Sequence, residues 1–495
     1  MVLFFVNGAL KIIKYDYLPE DNSIDFYEYS MRFLTETTEP KYFKITMYDS
    51  LNNQIVYEEL VNGLKLLELD CTPFIEKFNH QRLSYVRVHY QVQVEGVSDI
   101  IEGSFPIISP IHEESLKFAC VSCNNNKKDG DDGNYNYQNV CSENLWEKVS
   151  DQEADIIIHT GNQIYGDYIY NWTVGRSDDG VYDYNEIYQA YANLYRTAYS
   201  EVQQGRAMRN SLNLMILEGN DIFDSFGTPG SNANKDNPRF TPYYSGGMKA
   251  YLNYQHQLHS DLKKEIETDD IDGYESLTFI VDDYSDILMG NSNIYYAMSF
   301  GRYTFILMDQ RYVMYHGGMI MPPHQLIWLD ETIKRSENRD IIIICPRPIG
   351  NVTSTSARIS GLLSNKSKDD PLHPRNIDQT VEFLNILNDH KTDKNITIVS
   401  GYIRKTYTNA IQNNGHVAKQ LVTGPITRKP KGNDSLPKRL FNYMFKKTGP
   451  LEVGDFTIDA KENISYGNGY SVIDEDEVSN NFVEEFENLY CSCIH

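Results

Sequence analysis

Two hydrophobic patterns divide the chain. Through residues 1–110 apolar and polar positions alternate, as in Tyr42-Phe43-Lys44-Ile45-Thr46-Met47-Tyr48 and from Leu83 to Val94, with turn-forming residues at Asp49–Asn53 between such runs. A period of two puts one set of side chains on a core face and the other in water, so this region predicts an antiparallel β-sandwich. From residue 116 the pattern changes to short runs that are almost wholly apolar, such as Phe118–Val121, Ile156–Ile158, Leu212–Leu217, Tyr303–Met308, Ile341–Ile344 and Ile396–Val399. Runs of this kind are expected of strands covered on both faces of a sheet. Between them, apolar residues at three- and four-residue spacing mark helices: Tyr188, Tyr191, Leu194, Tyr195 and Tyr199 within Tyr184–Arg209, then Gln325, Trp328 and Leu329 behind a proline pair, then Phe383, Leu384 and Leu387. Alternating strands and helices predict an α/β core. The expected organisation is a β-sandwich domain over 1–112, an α/β core over 113–430 and a C-terminal extension over 431–495.

The chemistry gathers where the apolar runs stop. Ile156–Ile158 continues as His159-Thr160-Gly161-Asn162-Gln163-Ile164-Tyr165-Gly166-Asp167. A buried strand that ends in Gly followed by polar residues presents those side chains at its carboxyl end, where open α/β sheets hold their ligands. The other runs end in the same way: at Ser122-Cys123-Asn124, at Glu218-Gly219-Asn220-Asp221-Ile222-Phe223-Asp224, at Asp309-Gln310-Arg311 and at Ser400-Gly401-Tyr402-Ile403-Arg404.

Taken in order, these strand ends resemble the signatures of the PhoD-like (alkaline phosphatase D-type) metallophosphatases, and the resemblance covers roughly residues 115–430. Gly161, Tyr165 and Asp167 match the signature G-D-x-x-Y-x-D, Cys123 matches the cysteine of an S-C pair, and Phe223 and Asp224 match the end of D-D-H-E-hydrophobic-F-D. The resemblance implies a four-layer α/β sandwich. It also implies a site in which iron and calcium, held by Cys, Asp, Tyr, Asn and His, activate a hydroxide against a phosphate ester.

The departures fall on the ligands. Asn162 stands at the family's metal-bridging aspartate; Glu218, Gly219, Asn220 and Asp221 stand at D-D-H-E; Tyr402 and Arg404 stand at the aspartate and histidine of S-G-D-x-H. A carboxamide is a poor bridge between cations, and a guanidinium has no lone pair to offer one. The expectation is therefore a pseudo-phosphatase with no catalytic residue, no metal and no cofactor. Its vestigial positions are Cys123, Asn162, Tyr165, Asp167, Glu218, Asn220, Asp221, Tyr402 and Arg404, with Arg404 pairing to Glu218 or Asp221. Two alternatives stay open: a hydrolase rebuilt around one ion at Cys123, Tyr165 and Asp167, and a phosphate- or nucleotide-binding protein holding an anion with Arg311 and Arg404. Cys123 also reads as a small buried thiol.

Composition narrows the partners. The 495 residues carry 69 acidic against 45 basic side chains, a net charge of −24, which disfavours general nucleic-acid binding. No run approaches the ~20 apolar residues of a membrane span, and the opening MVLFFVNGALKII is expected to be a strand and turn rather than a signal peptide. Seven cysteines at irregular spacing fit a reducing compartment, hence a cytoplasmic location. Cys491, Cys493 and His495 are too few for a structural zinc site.

Against the acidic balance, Arg428, Lys429, Lys431, Lys438, Arg439, Lys446 and Lys447 form a basic island with Phe441, Tyr443 and Phe445 among them. It reads as a solvated helical segment or as a docking surface for an acidic protein, including a second copy of the chain. The abundance of Asn, Ile, Lys and Tyr suggests an AT-rich coding sequence of the sort some protists and large DNA viruses carry. A structural role in a virus particle would suit such a domain.

Overall fold

The computed structural model describes residues 2–15, 26–76, 83–124, 140–167, 169, 184–231, 233, 240–263, 274–276, 281–350, 368–402, 406–426, 450–465, 469–474 and 477–482. The N-terminal region builds β1 (Val2–Tyr15), β2 (Phe26–Tyr48), β3 (Gln54–Asp70), β4 (Tyr85–Val94) and β5 (Ile101–Ile108). All pair antiparallel. The 23-residue β2 pairs with β1 through its first half and with β4 through its second, while β3 follows it along both halves. A bulge between Thr37 and Lys41 separates the halves, and a bulge bends and twists a strand. Rings from the two halves then meet, Phe5 on Tyr90 at 5.7 Å and Phe33 on Phe105 at 5.8 Å. The region is one continuous antiparallel sheet bent on itself, where a sandwich was expected to have two, because β2 is long enough to belong to both halves.

The core follows with three parallel strands, β6 (Phe118–Val121), β7 (Ile156–His159) and β8 (Leu212–Met215). The expected helix Tyr184–Arg209 is two helices, Tyr184–Ser200 and Val202–Arg209. Glu201 breaks them: its backbone is extended and its carboxylate accepts the N–H groups of Gln203 and Gln204, an N-cap that starts a new helix. Short strands β9 (Asp261–Lys263) and β11 (Val281–Asp283) pair with each other, and β10 (Tyr274–Ser276) adds to β1. The second core sheet comprises β12 (Tyr296–Phe300), β13 (Tyr303–Leu307), β14 (Asp340–Cys345), β15 (Asn395–Ser400), β16 (Thr406–Gln412) and β17 (His416–Val422), completed by β18 (Leu451–Val453) and β19 (Phe456–Ser465). Finally β20 (Gly469–Asp474) pairs with β6 and with β21 (Glu477–Phe482). The segment expected as a C-terminal extension therefore supplies strands to both core sheets.

The all-apolar runs are explained by where their alternate side chains go. Ile342 and Ile344 join Phe305, Leu307, Val399 and Leu421 against Phe118, Cys120, Ile156, Ile158, Leu212 and Leu214 of the other sheet. Ile341 and Ile343 face the opposite way, onto Leu326, Leu329, Phe383, Leu384 and Leu387 of the helices Pro323–Arg335 and Ile377–His390. In the five-stranded sheet Ala119, Val121 and Ile157 likewise turn away from the shared core to meet Leu145, Trp146 and Val149.

The bent sheet is joined to this core through β1. Phe4 and Val6 pack with Tyr199, Leu217 and Tyr254, while Phe5 stays inside the sheet. Between them Asn7 is fully buried. Its Nδ2 donates to the carbonyls of Ser104, Arg209 and Ser211 at 2.9–3.2 Å, its Oδ1 accepts from the Tyr90 hydroxyl at 2.8 Å, and its own carbonyl accepts from Asn213 Nδ2 at 3.0 Å. Removing one member of a buried polar network strands its partners. Asn7→Ala is expected to lower the unfolding free energy by roughly 2–4 kcal/mol, in a single urea transition read by both Tyr fluorescence and circular dichroism. Two separated transitions would mean that the sheet and the core are not coupled through this contact.

Candidate functional site

The carboxyl ends of β6, β7 and β8 meet those of β13, β14 and β15. Two glycines make the approach possible. A Cβ on Gly401 would lie 2.2 Å from both Ser122 Oγ and Thr160 Oγ1, and one on Gly161 would lie 2.3 Å from Glu218 Cβ at a φ of +100°. Three further residues here are non-glycine yet left-handed: Cys123 at φ +54°, Asn162 at +57° and Tyr402 at +68°. Each such residue costs on the order of 1–3 kcal/mol and persists where its surroundings over-determine it. The surroundings are hydrogen bonds between the loops: Cys123 N–H to the Gly161 carbonyl at 3.2 Å, Asn124 N–H to the Asn162 carbonyl at 2.8 Å and Tyr402 N–H to Ser122 Oγ at 3.1 Å.

The structure brings most of the expected positions together here and gives them structural partners. Asn162 donates through Nδ2 to Cys123 Sγ at 3.5 Å and accepts the Asn220 N–H on Oδ1 at 3.0 Å. Its carboxamide thus spans two loops with one donor and one acceptor. Asp221 is buried and accepts three backbone N–H groups, of Asn162 and Glu218 at 3.0 Å and Ile164 at 3.1 Å. Burial raises its carboxyl to about 7 against the pull of those N–H groups. Asp167 accepts the Asp224 N–H, which makes these two matching residues a loop clasp. Tyr165 is buried beneath. Arg404, the basic island over 428–447 and the terminal Cys491, Cys493 and His495 lie outside the described residues.

Glu218 pairs with two arginines, Arg311 and Arg347. Arg311 Nε lies 2.6 Å and Arg347 Nε 3.0 Å from Glu218 Oε1. The same two side chains reach Asp369, Arg311 Nη1 at 2.9 Å and Arg347 Nη2 at 2.8 Å from Oδ2. Thr228 Oγ1 donates to that oxygen at 3.0 Å. With both carboxyls ionised, two carboxylates and two guanidiniums cancel in charge; all four are buried, Arg311 and Glu218 completely, and burial raises the Glu218 carboxyl to about 7 against the pull of Arg347. Glu218 Oε2 and Asp369 Oδ1 have no hydrogen-bond partner among the described residues.

The network is held in place by its neighbours. Asp309 Oδ1 accepts the Arg311 and Tyr312 N–H groups and Oδ2 that of Val313, starting a helix and aiming Arg311. Gln310 Oε1 accepts the Arg347 N–H at 2.8 Å. The Tyr402 ring lies 3.5 Å from the Arg347 guanidinium, and burial raises its phenol to about 12, so it meets the cation as a neutral π face. Arg311, which one alternative reading gave an external anion, reaches the chain's own carboxylates and the Phe226 carbonyl.

Arg347 and Asp369 escaped the sequence reading. Arg347 carried a signal: it follows Ile341–Ile344 and Cys345-Pro346 at a strand's carboxyl end, as Glu218, Arg311 and Tyr402 follow theirs. Asp369, ahead of the helix Ile377–His390, had no periodic pattern to mark it.

Among the described residues no group of three or more His, Cys, Asp or Glu is arranged to hold a metal ion. A dication about 4 Å from a guanidinium would be repelled by ~4 kcal/mol per unit charge at an effective dielectric near 20. Glu218 and Asp369 are already compensated by Arg311 and Arg347.

No family model and no curated protein matches the sequence. Among solved structures, that of PhoD superposes with a TM-score of 0.58 at 10% identity, covering 97% of this chain and 92% of the other. The fold is PhoD-like. A Lactobacillus rhamnosus β-glucuronidase, at a TM-score of 0.24, 8% identity and coverage of 90% and 68%, is too distant in structure to carry an argument.

Two consequences can be measured. Arg347→Ala leaves Glu218 and Asp369 undercompensated in the interior, and should cost about 3–5 kcal/mol in urea unfolding; a cost below about 1 kcal/mol, as for an exposed pair, would mean the network is solvated. The second concerns His159, fully buried between Gln163 and Asn213, whose imidazole burial lowers to about 4 from 6.5. Between those values the unfolded chain binds the proton and the folded one does not, so the His159 contribution to stability rises with pH across that window and is flat above it. Asp221 and Asp309, raised to about 7 by burial, act in the opposite sense from about pH 4 to pH 7. The stability difference between wild type and His159→Gln isolates the imidazole and should widen between about pH 4 and pH 6.5 and stay constant above that. A constant difference would mean that the imidazole is charged in the fold.

Proposed function

We propose that this chain is a catalytically inactive relative of the metallophosphatases: a four-layer α/β core, two facing sheets each covered by helices, whose former metal site is rebuilt as a self-neutralised ion network. It serves as a structural or protein-interaction module, with an acidic protein or a second copy as partner, in the cytoplasm or in a virus particle. The observation that carries this reading is the placement of Arg311 and Arg347, whose guanidiniums bind both carboxylates that could have faced a cation. Hydrolysis of a phosphate ester by the metal route needs a metal-bound hydroxide and cations to neutralise the developing charge. Here Asn162 is neutral and Asp221 is engaged by backbone N–H groups. The shape of the loops survives while their polar contents serve packing.

The test is elemental mass spectrometry of the purified protein together with hydrolysis of a generic phosphodiester. Less than about a tenth of an equivalent of iron, calcium, zinc or manganese, and no turnover, is the expected outcome. Near-stoichiometric metal, with turnover abolished by Cys123→Ala, would overturn it.

A further inference from the structure

A second concavity lies away from the strand ends, between the bent sheet and the helix Val202–Arg209. It is a cavity of about 450 Å³, within the size range of small-molecule sites. Arg206 and Arg209 from the last turn of the helix line one side, Glu102 of β5 another, and Tyr48 and His89 form an aromatic wall, their rings 5.8 Å apart and inclined by 24°.

Arginines in the last turn of a helix ordinarily serve its exposed carbonyls. Here those carbonyls have other donors. The Arg206 carbonyl accepts from Asn210 Nδ2, that of Ala207 from the Asn210 N–H, that of Met208 from Asn213 Nδ2, and that of Arg209 from Asn7 Nδ2. Arg209 gives its Nε to the Glu102 carbonyl at 3.3 Å, which leaves both terminal nitrogens without a partner among the described residues. No carboxylate among those residues lies within ion-pair distance of it. Arg206 has Asp151 at 4.0 Å, an exposed contact of the kind worth little. Two guanidiniums one turn apart are thus held beside a cavity with no structural duty to absorb them. Burial acts most strongly against the Arg209 cation, Tyr90 favours it, and the charge of Arg206 opposes it.

We propose that this cavity is a binding site for a nucleoside-monophosphate-like ligand: Arg206 and Arg209 take the phosphate, the Glu102 carboxylate accepts from sugar hydroxyls, and the Tyr48–His89 pair stacks the base. Guanidinium forks match phosphate oxygens in pairs. Glu102 would repel a bare anion, and its Oε1 already accepts from Gln91 at 2.9 Å, so the ligand must also bring donors of its own. Flat rings stack on aromatic faces whatever the base.

The experiment is calorimetric titration of the full chain at low salt with adenosine monophosphate, adenosine and inorganic phosphate. Adenosine monophosphate should bind, and more tightly than either fragment. Arg206→Ala and His89→Ala, both at exposed side chains, should each weaken it about tenfold without moving the melting temperature. Arg209→Lys, which keeps the charge and loses the fork, should weaken it as well. Absence of binding at about 1 mM ligand, affinity unchanged by Arg206→Ala, or inorganic phosphate binding as tightly as the nucleotide would each overturn the assignment.

Discussion

Four buried charges that cancel join the two halves of the core. Glu218 follows β8 of the five-stranded sheet; Arg311 and Arg347 follow β13 and β14 of the eight-stranded sheet; Asp369 arrives from the approach to the helix Ile377–His390. Two loops that carry like charge would repel across so dry a seam, and two that carry none would leave it to packing alone. Opposite charges supplied from opposite sheets fix the relative position of the strand ends, and with it the approach that only Gly161 and Gly401 permit. The cations that do this work are covalently part of the chain.

Shape and charge at these loops are held by different groups. The backbone at Cys123, Asn162 and Tyr402 lies in the left-handed region, and the loops hydrogen-bond across the seam. The charged groups satisfy one another, Glu218 and Asp369 with Arg311 and Arg347. Backbone shape is set by close packing and by N–H and C=O pairs, and it survives exchange of side chains that point away from it.

Much of the fold could be read in the sequence because burial on both faces writes a run of apolar residues that no surface strand needs. Ile341–Ile344 is the clearest case, with alternate residues committed to different layers. The site positions were legible for a related reason: each sits just past such a run. The network itself was not. Which carboxylate meets which guanidinium depends on loops brought together across the seam, and spacing says nothing about that, so Arg347 was passed over. Strands β18, β20 and β21 were missed because short stretches of mixed polarity, at or near sheet edges, carry no unbroken apolar run. The division at Glu201 was hidden because its aromatic neighbours keep helical spacing on the near side of it.

The C-terminal strands have a consequence for synthesis. β6 pairs with β7 on one edge and with β20 on the other, so Cys120 waits for Ser471, 351 residues later (471 − 120), before its sheet is complete. At translation rates of about 5–20 residues per second that interval is on the order of tens of seconds. Throughout it an apolar strand with an open hydrogen-bonding edge is outside the ribosome, competing for partners with the same edge on neighbouring nascent chains. A newborn molecule is therefore at its most adhesive until β20 arrives to cover that edge.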